Sequence, residues 1–519
     1  MNRRYNLINN SLGWLCFIIA AVSYLLTIEP TASFWDCPEF IAQGFKLEVG
    51  HPPGNPIFML AARFFINLAG GDVTKVAMCV NGMNALLSAG TILLLFWTIT
   101  HLMRRLTVKD DATKISPARM VTIFGAGLVG ALAYTWSDTF WFSAVEGEVY
   151  AFSSFCTALV FWLILKWENR ADAPQSDRYL VLIAYVIGVS IAVHLLNLLC
   201  IPAIVLVFYY KKWATPTTKG SILALLVSFV IVALILFGLV PGFIEVSQYF
   251  ELFCVNTLGL GFNTGVLVYT IIAVGSFIWA VRELYAQRSA TRIGVSFVLA
   301  ILFSGIPFIG SSLWVPVIIT LGLIGWLVWT SKLPVRIMTL VTLSIMVIFA
   351  GYSSYALLLI RSSAGTPMNQ NAPDNVFDLA SYLNREQYGE SPLLYGTTFA
   401  SDVLRLPDGN AAGTRQMRWA KAVKQDPSEP DRYVEVLAKT RYDYQPQLNM
   451  VFPRLYSRDH RSEYMKCGGF TDADLTPVRV STTVDSRGNV GAPNKTVKKP
   501  TFGQKLSYFI NYQLVHMYF

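Results

Sequence analysis

Apolar runs of membrane-spanning length fill the first 360 residues of this chain and leave it few possible folds. A helix needs about 20 apolar residues to cross the hydrocarbon core, and only helices or closed barrels satisfy their backbone hydrogen bonds there. Charged residues make up only 14% of the chain. We therefore expect an all-α polytopic membrane protein. Eleven runs of about the required length occur, at 12–29, 76–103, 120–136, 149–166, 179–193, 195–210, 219–240, 264–282, 293–309, 313–331 and 336–359.

The placement of lysine and arginine predicts the sidedness of these spans. Basic residues gather on cytoplasmic loops of membrane proteins, which also explains the net charge of +9 without a nucleic-acid partner. The loops 137–148, 241–263 and 310–312 contain no lysine or arginine. Both flanks of 179–210 are basic, so the chain crosses the membrane within 179–210 either twice or not at all. The N-terminus is predicted inside and everything after residue 360 outside. The basic clusters lie at 3–4, 104–119, 166–178, 211–219, 282–292 and 332–336.

Residues 361–519 differ in composition from the apolar part, because prolines, asparagines and charges rise. They predict a C-terminal extracytoplasmic α/β domain with a loop at 482–500, so the expected domains are 1–360 and 361–519. The chain ends on the aromatic-rich stretch YFINYQLVHMYF. Such an ending indicates either a truncated chain or an interfacial helix.

The first predicted outer loop, residues 31–56, holds Asp36, Glu39 and His51 within TASFWDCPEFIAQGFKLEVGHPPGNP. A helix can start near its first proline, the HPPGNP turn stops it, and the apolar segment 57–69 is too short to span. We expect two surface helices that hold a bend over the membrane. Ionisable residues kept beside a bilayer indicate a functional site, although Asp36 could instead cap a helix and Glu39 could be solvated.

The second predicted outer loop ends in EGEVY, which brings Glu146 and Glu148 to the same side as Asp36. A carboxylate there can accept the proton of a hydroxyl group or bind a metal through oxygen. If a divalent metal (Mg or Mn) is present, Asp36 and Glu148 are its expected ligands. The alternative is an ordinary acidic loop.

Two further polar features lie on the predicted outer side. His194 and Asn197 occur in IAVHLLNLL at the apex of the short pair of spans, where a structural histidine is the alternative. Arg361 directly follows the last span and could clamp a phosphate in a bidentate way or snorkel to the interface. No Walker loop, dinucleotide fingerprint, HExxH motif or catalytic-serine elbow occurs.

The motifs FWDCPEFI, GHPPGNP, EGEVY, RSSAGTPMNQNAP, YLNREQYG and PLLYG together resemble the bacterial branch of a glycosyltransferase-like membrane family. Its eukaryotic relative is a transmembrane O-mannosyltransferase of plexin-type domains. The resemblance implies a GT-C-like bundle that uses a polyprenyl-phosphate-linked sugar, with Asp36 as the catalytic residue of the first outer loop. It also implies that Glu146 and Glu148 occupy the position of a second acid. Members of this family commonly continue into a longer soluble region.

The expected function is transfer of mannose or a similar hexose from a polyprenyl phosphate to Ser or Thr hydroxyls of exported proteins. The expected location is the bacterial inner membrane, with the site in the periplasm and the bilayer and acceptor protein as partners. The alternatives are a non-catalytic scaffold that binds an envelope or secretion partner, and a lipid or sugar transporter. The candidate catalytic residues are Asp36, Glu39, Glu146 and Glu148, and the candidate substrate-binding residues are His51, Asn55, Tyr150, His194 and Arg361.

Overall fold

The computed structural model forms two compact units. The first comprises Met1–Asn384 with Ser428–Arg432, and the second comprises Arg385–Pro427 with Tyr433–Phe519. The domain boundary expected after residue 360 stays a prediction. Parts of the predicted loops and of one predicted span lie outside the described residues, namely Lys109, Lys114, Lys332, residues 311–312 and both ends of the expected span 313–331. The structure describes residues 3–108, 115–310, 314–330, 333–389, 392–485 and 487–517.

The first unit is built from α-helices joined by short turns. Apolar residues cover most of their length, as expected of helices whose outer faces meet lipid. The helices are α1 (Arg3–Leu26), α2 (Cys37–Lys46), α3 (Pro56–Ile66), α4 (Val76–Thr107), α5 (Pro117–Thr135), α6 (Asp138–Ala144), α7 (Val149–Glu168), α8 (Arg178–Ile191), α9 (Ile201–Lys212), α10 (Thr218–Ala233), α11 (Val240–Leu252), α12 (Thr264–Tyr285), α13 (Ala290–Leu302), α14 (Trp314–Trp329), α15 (Val335–Tyr352), α16 (Ala356–Ser363) and α17 (Val376–Leu383).

Eight helical stretches among the described residues are long and apolar enough to cross a membrane. The multi-pass character is thereby confirmed. Three expected spans correspond to the shorter helices α8, α13 and α14, so the count of eleven stays a prediction. The eight are Arg3–Leu26, Val73–Thr107, Pro117–Thr135, Val149–Glu168, Leu195–Lys212, Thr218–Thr257, Thr264–Tyr285 and Val335–Ser363.

The segment 241–263, expected as a loop, is helical as far as Thr257. Pro241 has no N–H to donate, yet it lies in the first turn of α11 directly after a π-helical turn at Leu234–Leu239. The wider turn pairs the Val240 N–H with the Ile235 carbonyl, so the helix continues past the proline. The expectation of a loop was therefore wrong for residues 241–257.

Two glycines allow α8 and α15 to cross in close contact. A Cβ atom on Gly188 would lie 2.5 Å from the Ile348 carbonyl oxygen, and one on Gly351 would lie 2.3 Å from the Gly188 carbonyl carbon. Small residues permit such backbone contact between membrane helices. The crossing supports α16 and α17, which follow α15 and reach the candidate site.

The second unit contains short antiparallel strand pairs and several short helical segments, among them a π-helix at Tyr508–His516, which confirms the expected mixture of helix and strand. Its extracytoplasmic location stays a prediction. The longest pair, β2 with β3, carries an irregularity in register at Gln416/Met417. The elements are β1 (Tyr395–Gly396), β2 (Gly413–Lys421), β3 (Tyr433–Tyr442), β4 (Met450–Val451), α18 (Arg461–Gly468), β5 (Thr476–Val480), β6 (Lys495–Lys499) and α19 (Phe502–Ser507).

Candidate functional site

The first outer loop folds into the two helices expected from its sequence, α2 and α3. A proline lies in the first turn of each helix, where its missing N–H is not needed. Leu47 ends α2 in the left-handed conformation, with its N–H bonded to the Gln43 carbonyl. Gly44 and Ala62 let the two helices pack closely, since a Cβ on Gly44 would lie 2.7 Å from the Ala62 Cβ. The pair therefore forms a firm base for the acids.

A hydrophobic cluster lies beneath this pair of helices. It joins Phe40 and Ile41 of α2 to Phe58 of α3, Val80 of α4 and Val149 of α7, all of them nearly inaccessible to solvent. Burial of apolar side chains contributes about 25 cal/mol per Å² of area removed from water. The cluster thereby ties the first outer loop to the start of α7, where the second acidic stretch ends.

Asp36, His51 and Glu39 form a chain of polar contacts on this base. Glu39 Oε1 accepts hydrogen bonds from the His51 backbone N–H at 2.6 Å and from Gln43 Nε2 at 3.0 Å, and it lies 2.9 Å from His51 Nδ1. The other ring nitrogen, Nε2, lies 3.9 Å from Asp36 Oδ2. The Asp36 side chain makes no helix-cap hydrogen bond and is 57% exposed. It therefore does not cap α2, and its carboxylate is accessible.

Glu39 is held as a carboxylate by its neighbours. Burial alone raises the pKa of Glu39, but hydrogen bonds and charge from His51, with a further bond from Gln43, hold that pKa below its ordinary value. The close approach of the turn that carries His51 to the side chains of Gln43 and Glu39 depends on Gly50. A Cβ there would lie 1.3 Å from Gln43 Nε2 and 2.4 Å from Glu39 Oε1, so only glycine fits without displacement.

The aromatic residues directly before Asp36 are exposed. Phe34 is 74% and Trp35 is 86% exposed, and Trp35 has a positive φ of 61°. A bulky residue seldom adopts this left-handed conformation, and such local strain concentrates at functional sites. Aromatic side chains are enriched at the headgroup level of membranes, so we expect Phe34 and Trp35 to lie there.

The second acidic stretch is fixed by asparagines of α4. Asn84 Nδ2 donates to the Glu146 and Glu148 carbonyls at 2.7 and 2.6 Å, and Asn81 Nδ2 donates to the Glu29 and Thr31 carbonyls at 2.7 and 3.0 Å. Both asparagine side chains are fully buried. One turn of a span thus positions both the chain that enters the first outer loop and the EGEVY stretch.

Glu146 and Glu148 are buried, with 4% and 7% exposure. Glu148 Oε2 accepts the Val149 N–H at 3.1 Å as the N-cap of α7. Burial raises the pKa of Glu148 to about 7, the bond from Val149 opposes this, and the charges of Asp36 and Glu146 add to the rise. Glu146 Oε2 is buried without a hydrogen-bond partner among the described residues.

Cys37 shows that the two acidic stretches meet. Its thiol is fully buried, and burial raises its pKa far above the ordinary value, with further contributions from the charges of Glu146, Glu148 and Asp36. These groups interact because they lie around one site. The structure therefore places Asp36, Glu39, His51, Glu146 and Glu148 around one site, and their roles in catalysis or substrate binding stay predictions.

The other candidates take peripheral positions. The Tyr150 and His194 rings meet edge to face at 5.4 Å, and His194 Nδ1 accepts the Leu196 N–H at 3.2 Å as a cap. Asn55 precedes α3, is 5% exposed, and has an Oδ1 with no hydrogen-bond partner in the described part of the chain. Their roles in substrate binding stay predictions.

Arg361 contacts the C-terminal end of α2. Its Nε donates to the Leu47 carbonyl at 2.7 Å and its Nη2 to the Lys46 carbonyl at 3.1 Å. Positive charge is favourable at a helix C-terminus. The guanidinium therefore reaches the site as a support of α2, while its expected contact with a phosphate stays a prediction.

Two tyrosines hold the turn that carries His51. Tyr382 Oη donates to the Gly50 and His51 carbonyls at 2.6 and 3.1 Å, and Tyr355 Oη donates to the Gly54 carbonyl at 3.3 Å. Sequence reasoning did not find these tyrosines or the asparagines of α4. Asn81 and Asn84 did carry a signal, because polar residues one turn apart within an apolar span mark a buried contact.

The described residues include no group of three or more His, Cys, Asp or Glu side chains that could hold a metal ion together. The ordered contacts of Glu39 and Glu148 are to the protein's own N–H groups, as described above. A divalent metal held by Asp36 and Glu148 stays a prediction, as does proton transfer by the acids.

Comparison with known proteins identifies similarity in this part of the chain. Residues 36–217 match the family model described as the protein O-mannosyl-transferase TMEM260 N-terminal domain, and residues 389–510 match a family of unknown function (DUF8416). No solved structure matches.

Two curated relatives share the same name. The protein O-mannosyl-transferase tmem260 of Dictyostelium discoideum is 25% identical over 202 residues, 38% of this chain and 22% of the relative. TMEM260 of Mus musculus is 25% identical over 188 residues, 36% of this chain and 24% of the relative. The match thus spans about a quarter of the length of these relatives. Both acidic stretches, His51 and the asparagines of α4 lie within residues 36–217, so the candidate site is in the part that is similar to an O-mannosyl-transferase domain.

Proposed function

We propose that this chain is a membrane protein O-mannosyltransferase of the GT-C type. It moves mannose or a similar hexose from a polyprenyl phosphate to a Ser or Thr hydroxyl of an exported protein. The observation that carries the proposal is the convergence of an exposed carboxylate, Asp36, with buried acids from a second loop. This convergence lies inside the stretch similar to O-mannosyl-transferases.

Asp36 is the base of the proposed reaction. Its carboxylate is accessible and receives the proton of the acceptor hydroxyl while the oxygen attacks the anomeric carbon. The bond from the anomeric carbon to the phosphate oxygen breaks, and its electron pair leaves with the lipid phosphate. Attack opposite the leaving group inverts the anomeric centre.

Arg361 neutralises the charge that develops on the departing phosphate. Its described hydrogen bonds to α2 use Nε and Nη2, and the planar guanidinium carries further N–H donors for a phosphate oxygen. Arg361 lies at the C-terminal end of the helical stretch Val335–Ser363, a position that suits a lipid-linked donor arriving from the bilayer. We place the site on the periplasmic face of a bacterial inner membrane, which is supported by the basic loops that the sequence predicts for the opposite side.

The proposal is tested by glycopeptide mass spectrometry of exported proteins from cells that carry either the wild-type chain or Asp36→Asn as their only copy. We expect hexosylated Ser or Thr peptides with the wild type and a loss of about 100-fold or more with Asp36→Asn, as for removal of a general base. Asp138→Asn is the matched control, since Asp138 is an exposed acid of the second loop.

Equal glycopeptide levels with Asp36→Asn, at equal amounts of membrane-inserted protein, would contradict the proposal. That result would favour the scaffold alternative. Membrane insertion is checked by quantifying both variants in purified membranes, so that loss of protein is not read as loss of catalysis.

A further inference from the structure

The tautomer of His51 follows from its contact with Glu39. Glu39 Oε1 accepts hydrogen bonds from the His51 backbone N–H and from Gln43 Nε2, so this oxygen acts as an acceptor, as a carboxylate oxygen does. The ring Nδ1, 2.9 Å from the same oxygen, must therefore carry a proton. In the neutral imidazole this leaves a lone pair on Nε2, the nitrogen that faces Asp36.

The distance between His51 Nε2 and Asp36 Oδ2 fits this assignment. At 3.9 Å the two atoms lie just beyond hydrogen-bond distance, as expected when a lone pair faces a carboxylate oxygen. A proton on either atom converts the contact into a charge-assisted hydrogen bond, which is shorter. Catalytic hydrogen bonds are often long without substrate and tighten when the reaction proceeds.

We propose that His51 is the proton-accepting partner of Asp36, oriented by Glu39, in the sugar transfer proposed above, on which this inference rests. The acceptor hydroxyl gives its proton to Asp36 Oδ2 as its oxygen bonds to the anomeric carbon and the phosphate leaves. Asp36 then passes that proton to Nε2 and is a carboxylate again. The imidazolium donates from Nδ1 to Glu39 and from Nε2 to Asp36, and it later releases the proton to solvent or to the departing phosphate.

The surroundings of His51 favour this positive intermediate. The acids nearest the ring are Asp36, directly before α2, and Glu39, in α2, and the charge of His51 also interacts with Glu148 before α7. A negative charge on any of them stabilises an imidazolium. The Phe40 ring packs on the imidazole with centroids 5.5 Å apart, which limits its rotation. The His51 side chain is 24% exposed, so solvent reaches it.

The test measures steady-state transfer by the purified full-length chain, with polyprenyl-phosphate mannose as donor and a synthetic acceptor peptide chosen from the glycopeptide map. We expect His51→Ala to lower kcat about 10- to 100-fold with little change in the acceptor KM. Because imidazole has an ordinary pKa of about 6.5 and a carboxyl one of about 4, loss of His51 should move the acid limb of the kcat–pH profile to lower pH. Added imidazole should restore part of the rate of His51→Ala.

Two further variants separate proton transfer from structural support. Glu39→Gln keeps an oxygen for the His51 backbone N–H but no longer stabilises an imidazolium, so kcat should fall and the acid limb should again move to lower pH. His101→Ala is the matched control. His101 also pairs with a glutamate, Glu168 at 3.6 Å, but lies about 25 Å along α4 from Asn84. We expect wild-type kinetics from it.

The outcomes distinguish this inference from the proposed function. Suppose that transfer depends on Asp36, but that His51→Ala shows an unshifted acid limb and no response to imidazole. This result would overturn the proton-accepting role of His51 alone. Absence of any transfer that depends on Asp36 would overturn the proposed function and this inference with it. A shifted limb together with imidazole rescue supports both.

Discussion

Asn84 is the single residue on which the second acidic stretch depends most. Its amide satisfies two buried carbonyls, those of Glu146 and Glu148, in a region where water cannot replace it. A polar side chain within an apolar span is costly unless it is paired, and here the pairing fixes the backbone that carries the acids.

Replacement of Asn84 by alanine should therefore destabilise the protein. The Glu148 carbonyl loses its side-chain donor, while the Glu146 carbonyl keeps the Glu148 N–H at 3.0 Å. We therefore expect the free energy of unfolding to fall by about 1–2 kcal/mol, with a matching drop in Tm in detergent. Ser88→Ala, one turn further along α4, is the control, because the buried Ser88 hydroxyl has no hydrogen-bond partner among the described residues. An unchanged Tm for Asn84→Ala would show that the stretch is held by other contacts.

Glu148 should make stability depend on pH. Its pKa is raised from 4.5 to about 7, so between these values the folded chain binds more protons there than the unfolded chain. Stability should consequently fall as pH rises through this window. Glu39 acts in the opposite sense. Because its pKa is lowered, its contribution to stability is lost only as the pH falls below the ordinary pKa of a glutamate.

Thermal unfolding at pH 5 and pH 8 checks this. Glu148→Gln should show a smaller decrease in Tm between the two pH values than the wild type. Asp138→Asn, which replaces an exposed acid, should show the same decrease in Tm as the wild type. An equal decrease in Glu148→Gln and wild type would show that the carboxyl of Glu148 does not carry this pH dependence.

At the scale of elements, the HPPGNP turn and the helices on either side of it hold His51 against Glu39. The sequence predicted both helices and the turn, because prolines and glycines mark such boundaries directly. It did not predict that Gly50 touches Glu39 or that Tyr382 holds the turn. Those contacts join residues distant in the chain, and local residue patterns carry no record of them.

Gly50→Ala should misplace His51. The added Cβ would meet Gln43 Nε2 and Glu39 Oε1, at 1.3 and 2.4 Å, so the turn or α2 must move. We expect transfer activity to fall about tenfold or more, since small shifts of reacting groups reduce rates strongly. Gly82→Ala, in α4, is the control because the atom nearest to a Cβ added at Gly82, Ile28 Cδ1, lies 3.8 Å from it. Wild-type activity in Gly50→Ala would show that Gln43 alone moves aside.

The segment 241–263 shows the opposite case, in which a local signal misled. Pro241 and Gly242 are residue types that often end a helix, yet the chain stays helical here. A π-helical turn precedes them, and Gly242 packs so closely that a Cβ added to it would lie 2.2 Å from the Gly305 carbonyl oxygen. A tertiary contact thus overrides the local preference. Only the packed neighbours explain the outcome.

At the scale of the whole molecule, the distribution of basic loops predicts which ends of the helices share a side. Ala32, before α2, and Thr139, in α6, should face the outside, and Ala173, between α7 and α8, should face the inside. All three residues are exposed. Cysteines at these positions, with the half-buried Cys79 and Cys467 replaced by serine, can report sidedness.

A membrane-impermeant maleimide applied to intact cells should label Ala32→Cys and Thr139→Cys but leave Ala173→Cys unlabelled until the membrane is permeabilised. The same pattern is required for the two acidic loops to form one site on one face. Labelling of Ala173→Cys in intact cells, or protection of either outer position, would reverse the predicted orientation.

The anchoring of the first loop by Arg361, Tyr355 and Tyr382 has a consequence for its evolution. All three side chains bind main-chain carbonyl oxygens, which every amino acid supplies. Side chains on the surface of this stretch, such as Lys46, can therefore change over generations without loosening these anchors, whereas Gly50, His51, the buried Val49 and Gly54, whose φ is 76°, are constrained. Divergence at the surface positions would consequently say little about divergence in activity, and comparison of homologous chains should weigh the anchors and the constrained positions instead.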